Sequence, residues 1–375
     1  MYYIRKIQEN IEKDLFKGKV IIIYGARRVG KTTLVQAILQ KHSVANKYIN
    51  CELLQNKTAL ETTNSELLKD FIGDSPLVVL DEAQNIKNIG LVLKILVDTF
   101  PKTQIIATGS SSFELANKIS EPLTGRAYSY TLYPLSFSEL RVGHDLITLE
   151  ARLDNMLRYG LYPSIVGLPE DEAGREINLI ASNYLYKDVL TFGGIKNADT
   201  ILNLLRALAL QIGQEVSLTE LAQLLGHNQR TIASYIEILE QCFIIFKLRS
   251  FSRNLRKEIG KRYKVYFYDL GIRNSLLQNF NPLALRNDVG ALWENFLLNE
   301  RGKKIDYERQ SANRYFWRTY DQKEIDYLEE SAGKIFAYEF KWGPTKAKAP
   351  TEFLKTYPGT NFMIVNRQNY WDFIS

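Results

Sequence analysis

Residues 20–34 read VIIIYGARRVGKTTL, and the fold follows from how this stretch changes character half-way along. Val20 to Tyr24 are five apolar or aromatic residues, the pattern of a short strand covered on both faces. They run directly into Gly25, four intervening residues, then Gly30, Lys31 and Thr32, and an apolar helical pattern follows from Thr33 to Gln40. That is the spacing of a phosphate-binding loop. Glycine at both ends lets the backbone N–H groups from Gly25 through Ala26, Arg27, Arg28, Val29, Gly30, Lys31, Thr32 and Thr33 turn inward around phosphate oxygens. Lys31 can reach the outer phosphates, Thr32 offers a hydroxyl ligand to Mg2+, and the following helix turns its positive dipole end toward the anion. A chance glycine pair in an ordinary strand-to-helix turn is the plainer alternative, but it leaves the coincidence of strand, full motif and helix unexplained. The stretch predicts a site for a nucleoside triphosphate, with ATP as ligand and Mg2+ as its ion.

Two later segments complete such a site. In SPLVVLDEAQ, residues 75–84, Leu77 to Leu80 read as a second covered strand that delivers Asp81 and Glu82 at its end. Asp81 would hold Mg2+ with Thr32, and Glu82 would orient and deprotonate the attacking water. A strand ending in an Asp helix cap gives the same letters, so the weight lies in the position, some fifty residues after a complete loop. TQIIATGSS, residues 103–111, is a third strand whose polar end offers Ser110 as a sensor of the phosphates, although one of these serines also suits a helix N-cap. In LTGRAYSYTLYPLSFSEL, residues 123–140, Tyr128, Tyr130 and Leu132 read as a last strand, and Ser136 to Glu139 as a capping box. Arg126 is either a finger on the γ-phosphate or a surface arginine near a sheet edge. Alternating strands and helices make residues 1–140 a parallel α/β domain.

Residues 141–250 differ. Apolar spacing of three and four residues makes 141–216 helical, and SLTELAQLLGHNQRTIASYIEILEQ reads as a helix-turn-helix followed by the strand CFIIFKL, as in a winged helix. A DNA-reading version would turn Gln229, Arg230 and Ser234 to a groove, yet Glu237 and Glu240 on the same helix suit a packing module equally well. After a basic linker, residues 251–375 place Glu294 on a helix, Asp326 on a strand, and Glu339 and Lys341 two residues apart on the next strand. Carboxylates converging in this order could hold a second divalent ion, with the lysine activating water. A hairpin with a solvated charged face gives the same alternation.

Composition sets the bounds. With 375 residues, 45% hydrophobic and 24% charged, the chain is of ordinary globular type and long enough for two or three domains. No apolar run approaches the ~20 residues of a membrane span, the charged N-terminus does not resemble a signal peptide, and the two distant cysteines suggest neither disulfide nor zinc. A cytoplasmic protein with no membrane partner is expected. The net charge is +6, and from Lys247 onward 23 Lys and Arg face 15 Asp and Glu. A basic C-terminal third suits DNA or RNA as partner, or a merely solvated surface.

Taken in order, GARRVGKTTL, LVVLDEAQ, IIATGSS, LTGRAYSYTLYPLSFSEL, KVYFYDLGIRN, LWENFLLNE and EFKWG resemble the large prokaryotic family of AAA-type ATPases with an uncharacterised C-terminal domain. The resemblance spans nearly the whole chain. It implies an AAA+-like core, a helical and winged-helix middle, and a C-terminal α/β domain similar to the PD-(D/E)xK restriction-endonuclease fold. It further implies ATP and Mg2+ at Lys31, Thr32, Asp81 and Glu82, and a nuclease-like site at Glu294, Asp326, Glu339 and Lys341. No second arginine motif of hexameric AAA+ machines is legible, so the oligomeric state stays open.

Overall fold

The computed structural model describes residues 3–42, 44–109, 123–193, 198–252, 262–319, 323–344 and 348–375. They divide into two units. One comprises Met1–Leu135, Lys187–Ile195 and Gln241–Phe243; the other comprises Ser136–Tyr186, Lys196–Glu240 and Ile244–Ser375.

The first unit is built on a five-stranded sheet of β1 (Val20–Tyr24), β2 (Asn46–Asn50), β3 (Leu77–Asp81), β4 (Gln104–Gly109) and β5 (Ala127–Thr131). Their order is β2-β3-β4-β1-β5, and every pairing is parallel. Parallel neighbours need crossover connections, which the helices supply. These are α2 (Lys31–Lys41), α3 (Leu54–Leu60), α4 (Ser65–Ile72) and α5 (Ile89–Thr99), while α1 (Ile7–Asp14) precedes β1. β1 and β3 are apolar throughout their length because both faces are covered, as Val20 to Ile23 and Leu77 to Leu80 show. α5 buries Ile89, Val92, Leu93 and Leu96 in the same core. Each such side chain contributes about 1.5–3 kcal/mol of transfer free energy. Since β4 lies between β3 and β1, the carboxyl ends of the three strands that carry motifs stand side by side.

The second unit holds a six-stranded mixed sheet with the order β11-β10-β9-β8-β6-β7. Its strands are β6 (Ile245–Ser250), β7 (Tyr263–Phe267), β8 (Asn313–Arg318), β9 (Glu324–Ser331), β10 (Lys334–Phe340) and β11 (Asn361–Val365). β9 and β10 are joined by Ala332 and Gly333, both at positive φ, which fits a two-residue hairpin turn. Before the sheet come α6 (Leu218–Leu225), capped by Ser217 and ended by Gly226, and α7 (Gln229–Gln241), the two helices expected of a helix-turn-helix. One expectation is corrected here. The segment read as a basic linker connects β6 to β7, and β6 pairs antiparallel with β7 and parallel with β8. A boundary at residue 250 would therefore cut between hydrogen-bonded strands, and β6 belongs to the C-terminal sheet.

A buried carboxylate ties this unit together. Asp269 caps the helix Leu270–Leu276 by accepting from the N–H of Ile272, and its other oxygen accepts from the N–H of Leu161 at 2.7 Å. Gly160 must be glycine, since a Cβ there would stand 2.0 Å from Asp269 Oδ1.

Candidate nucleotide-binding site

The loop leaves β1 at Gly25, whose hypothetical Cβ would lie 2.2 Å from the carbonyl oxygen of Leu132, so only glycine lets this turn pass the end of β5. Gly30 sits at φ +98 immediately before α2, and Arg28 also takes positive φ. Lys31 is buried and donates from Nζ to the carbonyls of Gly25 and Ala26, each at 3.0 Å, which places the ammonium across the loop. Arg5 braces the loop from behind. Its guanidinium donates to the carbonyls of Val29 (2.7 Å) and Tyr133 (2.6 Å).

Asp81, at the end of β3, is where the strands meet chemically. Its Oδ2 accepts from Thr32 Oγ1 at 2.7 Å and from the Tyr48 hydroxyl at 2.5 Å, and its Oδ1 accepts from Thr108 Oγ1 at 2.5 Å. Thr108 Oγ1 accepts in turn from the N–H of Glu82 at 3.0 Å. Glu82 follows in a left-handed conformation (φ 55), uncommon for a residue with a Cβ, and Gln84 Nε2 donates to its Oε2. Burial and the adjacent Asp81 push the Tyr48 phenol well above its usual range, so it stays a hydrogen-bond donor. The Thr32 hydroxyl and the Asp81 carboxylate are hard oxygen donors brought together at the mouth of the loop, and this donor set fits Mg2+. Bound there, the ion would draw charge from the phosphates.

Lys31, Thr32, Asp81 and Glu82 are thus brought to one edge. Ser110 lies outside the described residues. Arg126 is not brought there. Because β5 runs parallel to β1, Arg126 stands at the opposite, N-terminal edge, bonded to Asp98 of α5 at 2.7 Å. Within one chain it cannot act as a finger on the γ-phosphate. Sequence reading missed Tyr48 and Arg5, which carry no motif letters, and passed over Thr108 for its neighbour.

In the second unit, the four residues expected of a nuclease-like site do gather, and a protein cation is paired with one of them. We label the helix Val289–Tyr307 α8; it carries Glu294, whose Oε1 accepts from Lys264 Nζ at 3.2 Å and from the Tyr266 hydroxyl. Lys264, on β7, is buried and also pairs with Glu324. Burial alone would lower its pKa, but Glu294 and Glu324 outweigh that and hold it protonated. Asp326 Oδ2 accepts from the N–H of Phe340 at 2.7 Å, and Lys341 pairs with Glu339 at 2.7 Å. Burial, then the nearby Glu294 and Glu339, push Asp326 up to about 8. These oxygens already have protein donors, and among the described residues no group of three or more His, Cys, Asp or Glu could hold a metal ion. The donor set does not fit the second divalent ion that the sequence suggested.

Comparison with known proteins agrees on the first unit. Residues 17–141 match the family model described as an AAA domain. This segment is an AAA-like P-loop domain. Residues 150–283 and 289–370 match models described only as domains of unknown function, DUF8612 and DUF4143. An uncharacterized protein of Mycobacterium tuberculosis is 27% identical over 341 residues, covering 90% of this chain and 73% of the relative. One from Methanocaldococcus jannaschii is 28% identical over 344 residues, covering 86% and 74%. Among solved structures, the Walker-type ATPase of Pyrococcus abyssi is 15% identical with a TM-score of 0.49, covering 73% of this chain and 95% of that one. No helix among the described residues is long and apolar enough to cross a membrane.

Proposed function

We propose that this chain binds Mg-ATP at the P-loop, hydrolyses it, and uses the nucleotide state to govern what its C-terminal domain engages. The observation that carries the reading is the 2.7 Å bond between Thr32 and Asp81, which brings the loop and the acidic strand end into one site. Lys31 and the loop N–H groups hold the phosphates, Thr32 and Asp81 supply oxygens to the ion, and Glu82 orients and deprotonates the attacking water. Tyr48 and Thr108 fix the Asp81 carboxylate, and Thr108 ties it to the backbone of Glu82. The domains are read as 1–140 for ATP, 141–250 as helical with a winged-helix-like end whose strand β6 joins the C-terminal sheet, and 251–375 as the rest of the effector.

For the effector two readings compete. A nuclease-like domain facing DNA or RNA draws on the order Glu294, Asp326, Glu339, Lys341 and on the basic C-terminal third. A docking domain that binds a partner protein is favoured by Lys264, which already pairs with Glu294, one of the carboxylates that cleavage would need for metal. The chain is therefore read as an ATP-driven interaction switch. Phosphate release from ATP, with and without Mg2+, tests the first part, and Lys31→Ala should abolish nucleotide binding. Incubation with labelled DNA and RNA in Mg2+ or Mn2+, beside Asp326→Ala, tests the second. Cleavage that the variant loses would return the nuclease reading and remove the docking one.

A further inference from the structure

The peptide that joins Val29 to Gly30 stands just before α2. One peptide later, the Gly30 carbonyl accepts from the N–H of Leu34 at 2.9 Å, a bond of the first helical turn, so α2 itself sets the Gly30–Lys31 plane. The Val29–Gly30 plane needs another support. It leads into a glycine at φ +98, and without a Cβ that residue offers little resistance to rotation of the peptide before it.

Arg5 supplies that support. Its side chain is buried, Nη1 donates to the Val29 carbonyl at 2.7 Å, and Nη2 donates to the Tyr133 carbonyl at 2.6 Å. A Cβ built on Gly30 would stand 3.7 Å from the same Nη1, so the cation lies directly against this turn. A trans peptide is planar, and its C=O and N–H point in opposite directions. With the Val29 oxygen held by Arg5, the Gly30 N–H points away from the cation, as a donor to an anion in the loop. The flipped peptide would offer phosphate a carbonyl lone pair instead. Tyr133 is a telling second acceptor, because its neighbour meets the other end of the loop. The Leu132 N–H donates to the Tyr24 carbonyl at 2.7 Å, and the Leu132 carbonyl passes too close to Gly25 for any Cβ. Leu132 and Tyr133 thus hold the loop at both ends, at Gly25 directly and at Val29 through Arg5.

We propose that Arg5 is a positioning residue for phosphate binding, which fixes the Val29–Gly30 peptide so that the Gly30 N–H faces the phosphates. The inference rests on the P-loop reading and deepens it. Arg5 touches neither phosphate nor the attacking water in this role and acts through the backbone alone. Lysine is no substitute, since a single ammonium lacks the planar fork that holds two separate carbonyls in fixed geometry.

The test measures binding of Mg-ATP and Mg-tripolyphosphate by calorimetry, and steady-state phosphate release, for the full chain as wild type, Arg5→Lys and Arg5→Gln, with folding followed by circular dichroism. Arg5→Lys should weaken both ligands at least about tenfold, ~1.4 kcal/mol, and by the same factor, because the peptide it frees faces phosphate and not the nucleoside. KM for ATP should rise while kcat at saturation is retained, the mark of binding lost equally from ground and transition states. Arg5→Gln, which also loses the charge, should weaken both ligands at least as much. A loss confined to ATP would set Arg5 against the nucleoside and overturn the proposal. So would a folded variant that binds both ligands as the wild type does, or one that loses kcat at unchanged KM. Failure of both variants to fold would assign Arg5 to the fold alone and overturn it as well. A wild type that binds neither ligand refutes the P-loop reading, and the role of Arg5 falls with it.

Discussion

Thr108→Val swaps a hydroxyl for a methyl of similar size at a fully buried position between β3 and β1. The hydroxyl donates to Asp81 and accepts from the N–H of Glu82, so both bonds are lost while the packing stays. A bond to an ionised group contributes about 1.5–3 kcal/mol, and leaving a buried N–H unsatisfied costs about 1–3 kcal/mol. Together roughly 2.5–6 kcal/mol of local order is withdrawn from the two acidic residues. If only ~1.4 kcal/mol of it is felt in the transition state, turnover falls about tenfold. The assay is steady-state phosphate release alongside equilibrium binding of ATP. The expected result is kcat reduced tenfold or more with ATP binding retained, since Lys31 and the loop are untouched. Thr108→Ser keeps the hydroxyl and should restore turnover. A valine variant with wild-type kcat would refute the view that Thr108 positions Glu82.

Gly25→Ala would drive a Cβ into the Leu132 carbonyl, and thermal unfolding should show a lowered Tm together with lost nucleotide binding; unchanged binding would mean that the loop can leave the path it takes beside β5. Lys264→Met leaves Glu294 and Glu324 without their shared cation, and breaking such a buried pair should cost about 3–5 kcal/mol in urea unfolding. Glu294→Gln in the same chain should recover part of that loss. Asp269 is pushed up to about 6 by burial, against 3.8 unperturbed, although its backbone hydrogen bonds pull the other way. Its folded form thus holds a proton that the unfolded chain has released. That makes stability fall as pH rises from about 4 to 6, by ~3 kcal/mol, and Asp269→Asn should flatten this part of the profile.

Much of the first unit was legible in the sequence because its signals are local. A covered parallel strand is apolar along its whole length, as Val20 to Ile23 and Leu77 to Leu80 are, and glycines that a backbone turn requires sit at fixed spacing around Lys31. The partners of Asp81 were less visible. Tyr48 comes from β2 at the far side of the sheet, and its role appears only when β2 pairs with β3 in the register that sets Asn50 beside Asp81. The choice between the two readings of Arg126 was illegible for a related reason, since strand direction decides which edge a residue at a strand start will occupy. In the second unit the four site residues were named and do converge, but nothing in the sequence marked Lys264 as their neighbour. A lysine buried among carboxylates and one on a solvated strand have the same letter. β11 and the place of β6 in the C-terminal sheet were missed because mixed parallel and antiparallel pairing leaves no sequence period of its own.

Whether the loop and the end of β3 form one hydrolytic site is decided by Glu82→Gln with Mg-ATP in a single-turnover experiment. The variant should bind ATP as tightly as the wild type and release almost no phosphate. Phosphate release at the wild-type rate would remove Glu82 from the chemistry and leave the end of β3 without a hydrolytic role.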